Sequence, residues 1–411
     1  MTRVLVVWAS GRDQPGLVER VTRPLAQKNC NIVDIEQTVV RGLFSIVMLV
    51  EVPDEFEGDP VEQLRRDYAE NFKDSALIVN VDPYVEGRRR TEKVEASLTV
   101  LGRDRPGIVN ALSRLMASFS VNILRVKMIS RGELIAMRMD VDLSDLQSPG
   151  NSSKMYQFKE RLRATCDELD VSHVLQVGTS KIVEKKLIVF DMDATLVEGE
   201  TIVRIAHETG FQEEVERLTR EAMEGKMDFV EALKARVKLL KGVKLSTLEA
   251  IADDLKLTPG AQELIQTLKA MGFKIALISG GFSLFTEHLK EKLGLDYAFG
   301  NKLVVEDGVL TGEVDENLII DAKKKGEILR WLAKVERISP EQIVAVGDGS
   351  NDRFMLENAG LGIGFEPKEV LKKISDGVLS KNLFGLLYCL GLPEKKLRRL
   401  SSGNGSNEGN E

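Results

Sequence analysis

The stretch Lys185-Lys186-Leu187-Ile188-Val189-Phe190-Asp191-Met192-Asp193-Ala194-Thr195 decides how this chain is read. Two lysines give way to four apolar residues and then, abruptly, to a pair of acids. That is the pattern of a short buried strand ending at a polar edge. Two later stretches repeat it: Lys274-Ile275-Ala276-Leu277-Ile278 runs into Ser279-Gly280-Gly281, and Ile343-Val344-Ala345-Val346 runs into Gly347-Asp348-Gly349-Ser350-Asn351-Asp352. In a parallel α/β sheet the ligand crevice lies beyond the carboxyl ends of the strands. The three stretches therefore deliver carboxylates, a hydroxyl and glycine-flanked amides to one place, a set suited to metal-assisted transfer of a phosphoryl group.

The bulk properties narrow the field. A length of 411 residues allows two or three domains, and 43% hydrophobic with 29% charged residues is ordinary globular composition. The net charge of −7 argues against a nucleic-acid binder. Cys30, Cys166 and Cys389 lack metal-type spacing and read as reduced core residues of a cytoplasmic protein. His173, His207 and His288 are far apart, so a catalytic acid or base is to be sought among carboxylates. The strand-like N-terminus is too short for a signal sequence, and no apolar run approaches the roughly 20 residues that span a bilayer. Residues 401–411 are Ser, Gly, Asn and Glu, the composition of a disordered tail.

The front of the chain is duplicated. Gly11-Arg12-Asp13-Gln14-Pro15-Gly16 returns 91 residues later as Gly102-Arg103-Asp104-Arg105-Pro106-Gly107, and Asn31-Ile32 returns at the same offset as Asn122-Ile123. Each copy reads strand, Pro-Gly turn, helix, two strands, helix, strand, which is a ferredoxin-like βαββαβ unit. The turn and the downstream Asn-Ile resemble the ACT domain. That resemblance implies side-by-side assembly through sheets, with a two-fold dimer as first expectation, and either amino-acid sensing (serine as the effector) or plain assembly. The expected boundaries are 1–85 and 92–180 for the two modules and 182–400 for an α/β domain. Between residues 200 and 257 strand signals lapse and the pattern is helical, so a helical cap is expected above the crevice.

The acids carry the chemistry. Asp191 and Asp193, two apart on an extended strand end, lie on one side. One can attack phosphorus while the other handles the leaving oxygen's proton. At an effective dielectric near 20, each pair of like charges at ~4 Å costs about 4 kcal/mol, so the site must supply positive charge. Asp348 adds a carboxylate for a hard divalent cation, Lys325 a fixed cation, and Ser279 with the Gly280 amide further donors. Singly, each piece reads more readily as a helix cap, a turn or a solvated lysine; together, in this order and each behind a strand, they read as one site.

Asp-x-Asp-x-Thr, Ser-Gly-Gly, Lys and Gly-Asp-Gly-x-Asn-Asp form the motif series that resembles the haloacid-dehalogenase-superfamily phosphatases, with a Rossmann-like parallel sheet. The resemblance implies Asp191 as nucleophile, Asp193 as general acid and then base, and Mg²⁺ held by Asp191, Asp348 and the backbone carbonyl of Asp193. Asp352 would orient the lysine or a metal-bound water, and Thr195 would brace the nucleophile loop. The cap stretch from Glu221 to Phe229, followed by Arg236, and Glu200 nine residues after the nucleophile, resemble the phosphoserine phosphatase family. That implies O-phosphoserine as substrate, Glu200 for its ammonium, Arg236 for its carboxylate, Met223 and Phe229 as cover (or as plain helix packing) and Asn351 near the phosphate. Ala194 stands where the family often has Ser. Two alternatives stay open: transfer of the phosphoryl group to another alcohol such as homoserine, and an amino-acid sensor with a vestigial phosphatase half.

Overall fold

The computed structural model describes residues 3–73, 76–85, 94–130, 134–147, 152–178, 185–223 and 227–390. The tail expected after residue 400 and the side chain of Met223 lie outside the described residues. Two compact units emerge, Met1–Thr91 and Glu92–Glu411.

The first unit is one βαββαβ module. Its strands are β1 (Arg3–Arg12), β2 (Asn31–Val40), β3 (Leu43–Val52) and β4 (Ile78–Pro83), in antiparallel order β2-β3-β1-β4. Alternate strand residues such as Leu5, Val7, Ile46 and Met48 bury against the helices Leu17–Gln27 and Pro60–Asn71. The Pro-Gly turn works as read: Gly16, at φ 88°, opens the first helix, and its repeat Gly107 does the same at φ 98°.

The second unit begins with the second copy: β5 (Glu95–Arg103), β6 (Asn122–Ser130), β7 (Leu134–Asp142) and β8 (Val171–Val177). The α/β part follows with β9 (Leu187–Phe190), β10 (Lys274–Phe282), β11 (Tyr297–Asn301), a hairpin of β12 (Leu303–Glu306) and β13 (Val309–Val314), then β14 (Ile343–Gly347), β15 (Leu361–Phe365) and β16 (Gly377–Leu379). All but the hairpin share a single ten-stranded sheet, ordered β11-β10-β9-β14-β15-β16-β8-β5-β7-β6. The join is antiparallel, with Gly377 opposite Val174 and Val378 opposite His173. A Cβ on Gly377 would sit 2.4 Å from Val174, so only glycine permits this approach.

From β11 to β16 the strands are parallel and apolar on both faces. Ile188 and Phe190 face one helical layer, Leu187 and Val189 the other, as a doubly wound sheet requires. β9, β10 and β14 are neighbours, so the ends of all three diagnostic stretches meet.

The cap is helical, as expected: Thr201–Thr209, Gln212–Met223, Phe229–Leu239 and Leu245–Asp253. Its return passes Leu257, bridged to Val197, with Glu198 N–H donating to Lys256 O at 2.9 Å. The hairpin β12–β13 departs from the expected strand–helix alternation. Its Asp307-Gly308 turn has both residues at positive φ (49° and 74°), the geometry Asp-Gly favours. It extends the cap, since Lys244 bridges Val309. No helix among the described residues is long and apolar enough to cross a membrane.

Candidate active site

The three strand ends carry their side chains into one cleft. β9 hands over to Asp191, whose N–H donates to Val346 O of β14 at 2.9 Å, locking the loop that carries Asp191 to the neighbouring strand. Asp191 Oδ1 accepts from the Met192 N–H and from Lys325 Nζ, each at 2.7 Å. Among the described residues its Oδ2 keeps only a long 3.4 Å contact from the Asn351 amide, leaving that oxygen toward the cleft. Ala194 holds φ 51° in the turn that follows, a strained conformation for a side chain with a Cβ.

Lys325 lies beneath the cleft instead of lining it. It is fully buried in the helix Ala322–Val335, and its Nζ reaches Asp352 Oδ1 at 2.7 Å as well as Asp191. Burial works against its charge, but the two carboxylates outweigh it and raise its pKa. Asp352 is held on every side: Oδ2 accepts from the Asp348 and Gly349 N–H groups at 3.1 and 3.2 Å. Burial and Asp191 push its carboxyl up against Lys325 and the Gly349 amide; with three donors converging on it, we read the pair as ionised.

Asp193 differs. Burial first, then Glu200 and Asp191, push its pKa up to about 7, while the Thr201 N–H, 2.7 Å from Oδ1, pulls the other way. A carboxyl so placed holds a proton near neutrality, as a general acid must. Thr195 is buried, but its hydroxyl has no hydrogen-bond partner among the described residues, so any bracing it provides is by packing.

Asp191, Asp348 and Asp352 bring carboxylate oxygens within 4.8 Å of one another. Asp352 has its oxygens committed to donors, so of the three Asp191 and Asp348 are the ones that could hold a metal. Burial and the nearby Asp191 raise the Asp348 pKa to about 6, against the pull of Lys368, so the two carboxylates still repel one another. Oxygen ligands with surplus negative charge fit a hard divalent cation.

The cap supplies opposite charges. Glu200 caps the helix Thr201–Thr209, and Arg236 lies two turns along the helix Phe229–Leu239. That helix is fixed by a capping box, with Asp228 accepting from Glu231 N at 2.8 Å. Arg236 is desolvated, which lowers its pKa, while Glu200 and Asp193 favour its charge. Phe229 covers the Ser279-Gly280-Gly281 loop so closely that a Cβ on Gly280 would stand 3.3 Å from its ring. Asp191, Asp193, Glu200, Phe229, Arg236, Ser279, Gly280, Asp348 and Asn351 line one cleft with about 100 Å³ of free space.

Residues 185–360 match the haloacid dehalogenase-like hydrolase family, and residues 3–82 and 97–176 each match the ACT domain. The phosphoserine phosphatase of Archaeoglobus fulgidus is 45% identical over 85% of this chain and 98% of its own length. The chain belongs to the phosphoserine phosphatase family. The phosphoserine phosphatase SerB2 of Mycobacterium tuberculosis is 34% identical over 97% of this chain and 96% of its own. Among solved structures, a haloacid-dehalogenase family hydrolase of Salmonella enterica serovar Typhi superposes with a TM-score of 0.62 at 29% identity, covering 72% of this chain and 99% of that one. Like its relatives, the chain is a phosphatase.

Two residues of this family member escaped the sequence reading. Lys368 Nζ stands 3.4 Å from Asp348 and 3.7 Å from Glu200, bridging core and cap. It follows β15, so the strand-end rule would have found it. Asn301 is fully buried, donating to Gly280 O and accepting from Ile320 N–H, both at 2.8 Å, and so ties the Gly280 loop to the segment before Lys325. No motif marks it.

Proposed function

We propose that this phosphatase hydrolyses O-phospho-L-serine to L-serine and phosphate through an aspartyl-phosphate on Asp191, the last step of serine biosynthesis. The observation that carries the reading is the charge layout of the cleft: a carboxylate with one oxygen held and one free, a protonated acid beside it, and an anion–cation pair on the cap. Phosphoserine presents the complement, with its ammonium to Glu200, its carboxylate to Arg236 and its phosphate to Ser279, Gly280 and Asn351. The small free volume favours a small ester.

Asp191 Oδ2 attacks phosphorus and the bond from phosphorus to the serine oxygen breaks. Asp193 gives its proton to that oxygen, releasing serine. Asp193, now a carboxylate, takes a proton from a water that attacks the same phosphorus, freeing phosphate and restoring Asp191. Lys325 holds Asp191 Oδ1 throughout and offsets its charge. Mg²⁺ would be held by Asp191, Asp348 and the Asp193 carbonyl, and when bound would supply positive charge against the phosphoryl oxygens. Around the cleft, Asp191, Glu200, Asp348 and Asp352 face three cations, Lys325, Arg236 and Lys368, a surplus of negative charge suited to it.

The ACT modules would assemble two cytoplasmic chains through their sheets and take serine as a feedback ligand. The exposed apolar residues Val33, Ile35, Val39 and Leu43 on the sheet of the first unit support assembly. The test is a rate comparison of O-phosphoserine with phosphothreonine and an aryl phosphate, with and without added homoserine. Preference for phosphoserine with free phosphate as product agrees; equal rates, or a phosphorylated acceptor, do not.

A further inference from the structure

Where β10 meets β11 the parallel ladder breaks. Ala276, Leu277 and Ile278 pair in step with Tyr297, Ala298 and Phe299, but the next pair is Phe282 with Asn301. Between those pairs β10 passes through Ser279, Gly280 and Gly281, whereas β11 passes through Gly300 alone. The surplus residues bulge from the sheet at its carboxyl edge, and a bulge leaves backbone groups without ladder partners. The short strand runs close beneath, since a Cβ on Gly300 would stand 2.7 Å from Ser283 N.

Asn301 supplies the missing partner. Its side-chain amide donates to Gly280 O at 2.8 Å from a fully buried position. Gly280 O and Gly281 N–H belong to one peptide plane, and that N–H donates to Ser279 Oγ at 2.8 Å. Fixing the carbonyl end of the plane fixes its amide end, because the plane turns as a unit. With a lone pair of Ser279 Oγ taken by the N–H, the hydroxyl is left to donate its own proton elsewhere. The acid is close by: a Cβ on Gly281 would stand 3.1 Å from Ser279 Oγ and 3.2 Å from Asp193 Oδ2. On its other side Asn301 accepts from Ile320 N–H at 2.8 Å. Next in the chain, Asp321 caps the helix that carries Lys325, accepting from Lys324 N–H at 2.7 Å.

We infer that Asn301 is a positioning residue for phosphoryl transfer. Buried behind the loop, it does not line the cleft. Through the peptide between Gly280 and Gly281 it aims the Ser279 hydroxyl at a phosphoryl oxygen. Through Ile320 it keeps that donor in register with Lys325, which holds Asp191. This role rests on the phosphate placement proposed above, at Ser279 and Gly280.

Inorganic phosphate and L-serine, used separately as inhibitors of the full-length enzyme, probe the two ends of the cleft. Asn301→Ala and Asn301→Leu both remove the amide donor, and the second keeps most of the side chain's volume. Each should raise the phosphate inhibition constant about tenfold or more and leave that of L-serine within about twofold, since only the phosphate end loses a charge-assisted hydrogen bond. The kcat/KM values for O-phosphoserine and for an aryl phosphate should fall by similar factors, because the two esters share the phosphoryl group. Placed on Ser279→Ala, Asn301→Ala should cost at least about threefold less than it costs alone, as residues acting through one hydroxyl do. Variants that do not fold, that raise both inhibition constants alike, or whose loss is undiminished on Ser279→Ala overturn the positioning role. A Ser279→Ala enzyme with the parent's phosphate inhibition constant would remove the phosphate placement itself, and the role of Asn301 with it.

Discussion

Lys325 shows how much one side chain holds. Fully buried between Asp191 and Asp352, it is the positive member of a buried triad. Removing one partner of a buried ion pair costs about 3–5 kcal/mol, because a charge is left without compensation. Lys325→Met is therefore expected to lower Tm and cut kcat by about a thousandfold, roughly the loss of one strong electrostatic contact to the reacting group. Thermal melting and steady-state kinetics check both; parent-like kcat would contradict the role. Gly347→Ala should fail alike, since its Cβ would lie 2.4 Å from the Asp352 carboxylate and drive that acid off the lysine. Asp191 and Asp348 were legible because each ends an apolar run, and Lys325 only as the lysine of the motif series that the chain resembles. That Lys325 lies under Asp191, and that Asn301 pins the Gly280 loop, depends on contacts between distant segments that no local pattern encodes.

Among the elements, β8 and β16 form the seam of the long sheet. His173 sits there, buried opposite Val378. Burial, helped by the Arg163 and Lys372 cations and opposed by Asp167, lowers its pKa to about 4 from an ordinary 6.5. The sign follows from proton binding: the unfolded chain takes a proton near pH 6.5, the folded one only near pH 4. Stability therefore falls as pH drops through that window, by up to about 3 kcal/mol from this group. Melting at pH 6.5 and 4.5 should show a smaller acid loss for His173→Gln than for the parent; equal losses would remove His173 as the cause. The seam could not be read from sequence. Both βαββαβ copies showed their grammar plainly, yet which edge strand of one module meets which edge of the next carries no periodicity. The hairpin β12–β13 was legible in its Asp-Gly turn but was passed over for the longer strand–helix rhythm.

For the molecule as a whole, the two units have separate cores, whereas the second ACT module and the phosphatase part share a sheet. A chain starting at residue 92 should keep kcat within about threefold of the parent, since removing a separately packed unit leaves the remaining core intact. A chain starting at residue 185 would expose the β16 edge and lose the Ser172–Ser380 contact at 3.1 Å and the Lys381–Asp170 pair at 2.9 Å. It should melt lower and associate, as bare strand edges do; melting curves and light scattering would show whether it does. The account rests above all on residues far apart in sequence acting as one phosphoryl-transfer centre. Its most direct test is to quench the enzyme during turnover of ³²P-labelled phosphoserine, reduce with borohydride and map the modified residue. Label on the quenched protein before reduction, its release as phosphate when borohydride converts Asp191 to homoserine, and the absence of both signals from Asp191→Asn are the predicted results. Turnover with no trapped label and no modification at Asp191, or an Asp191→Asn enzyme that keeps the parent rate, would contradict it.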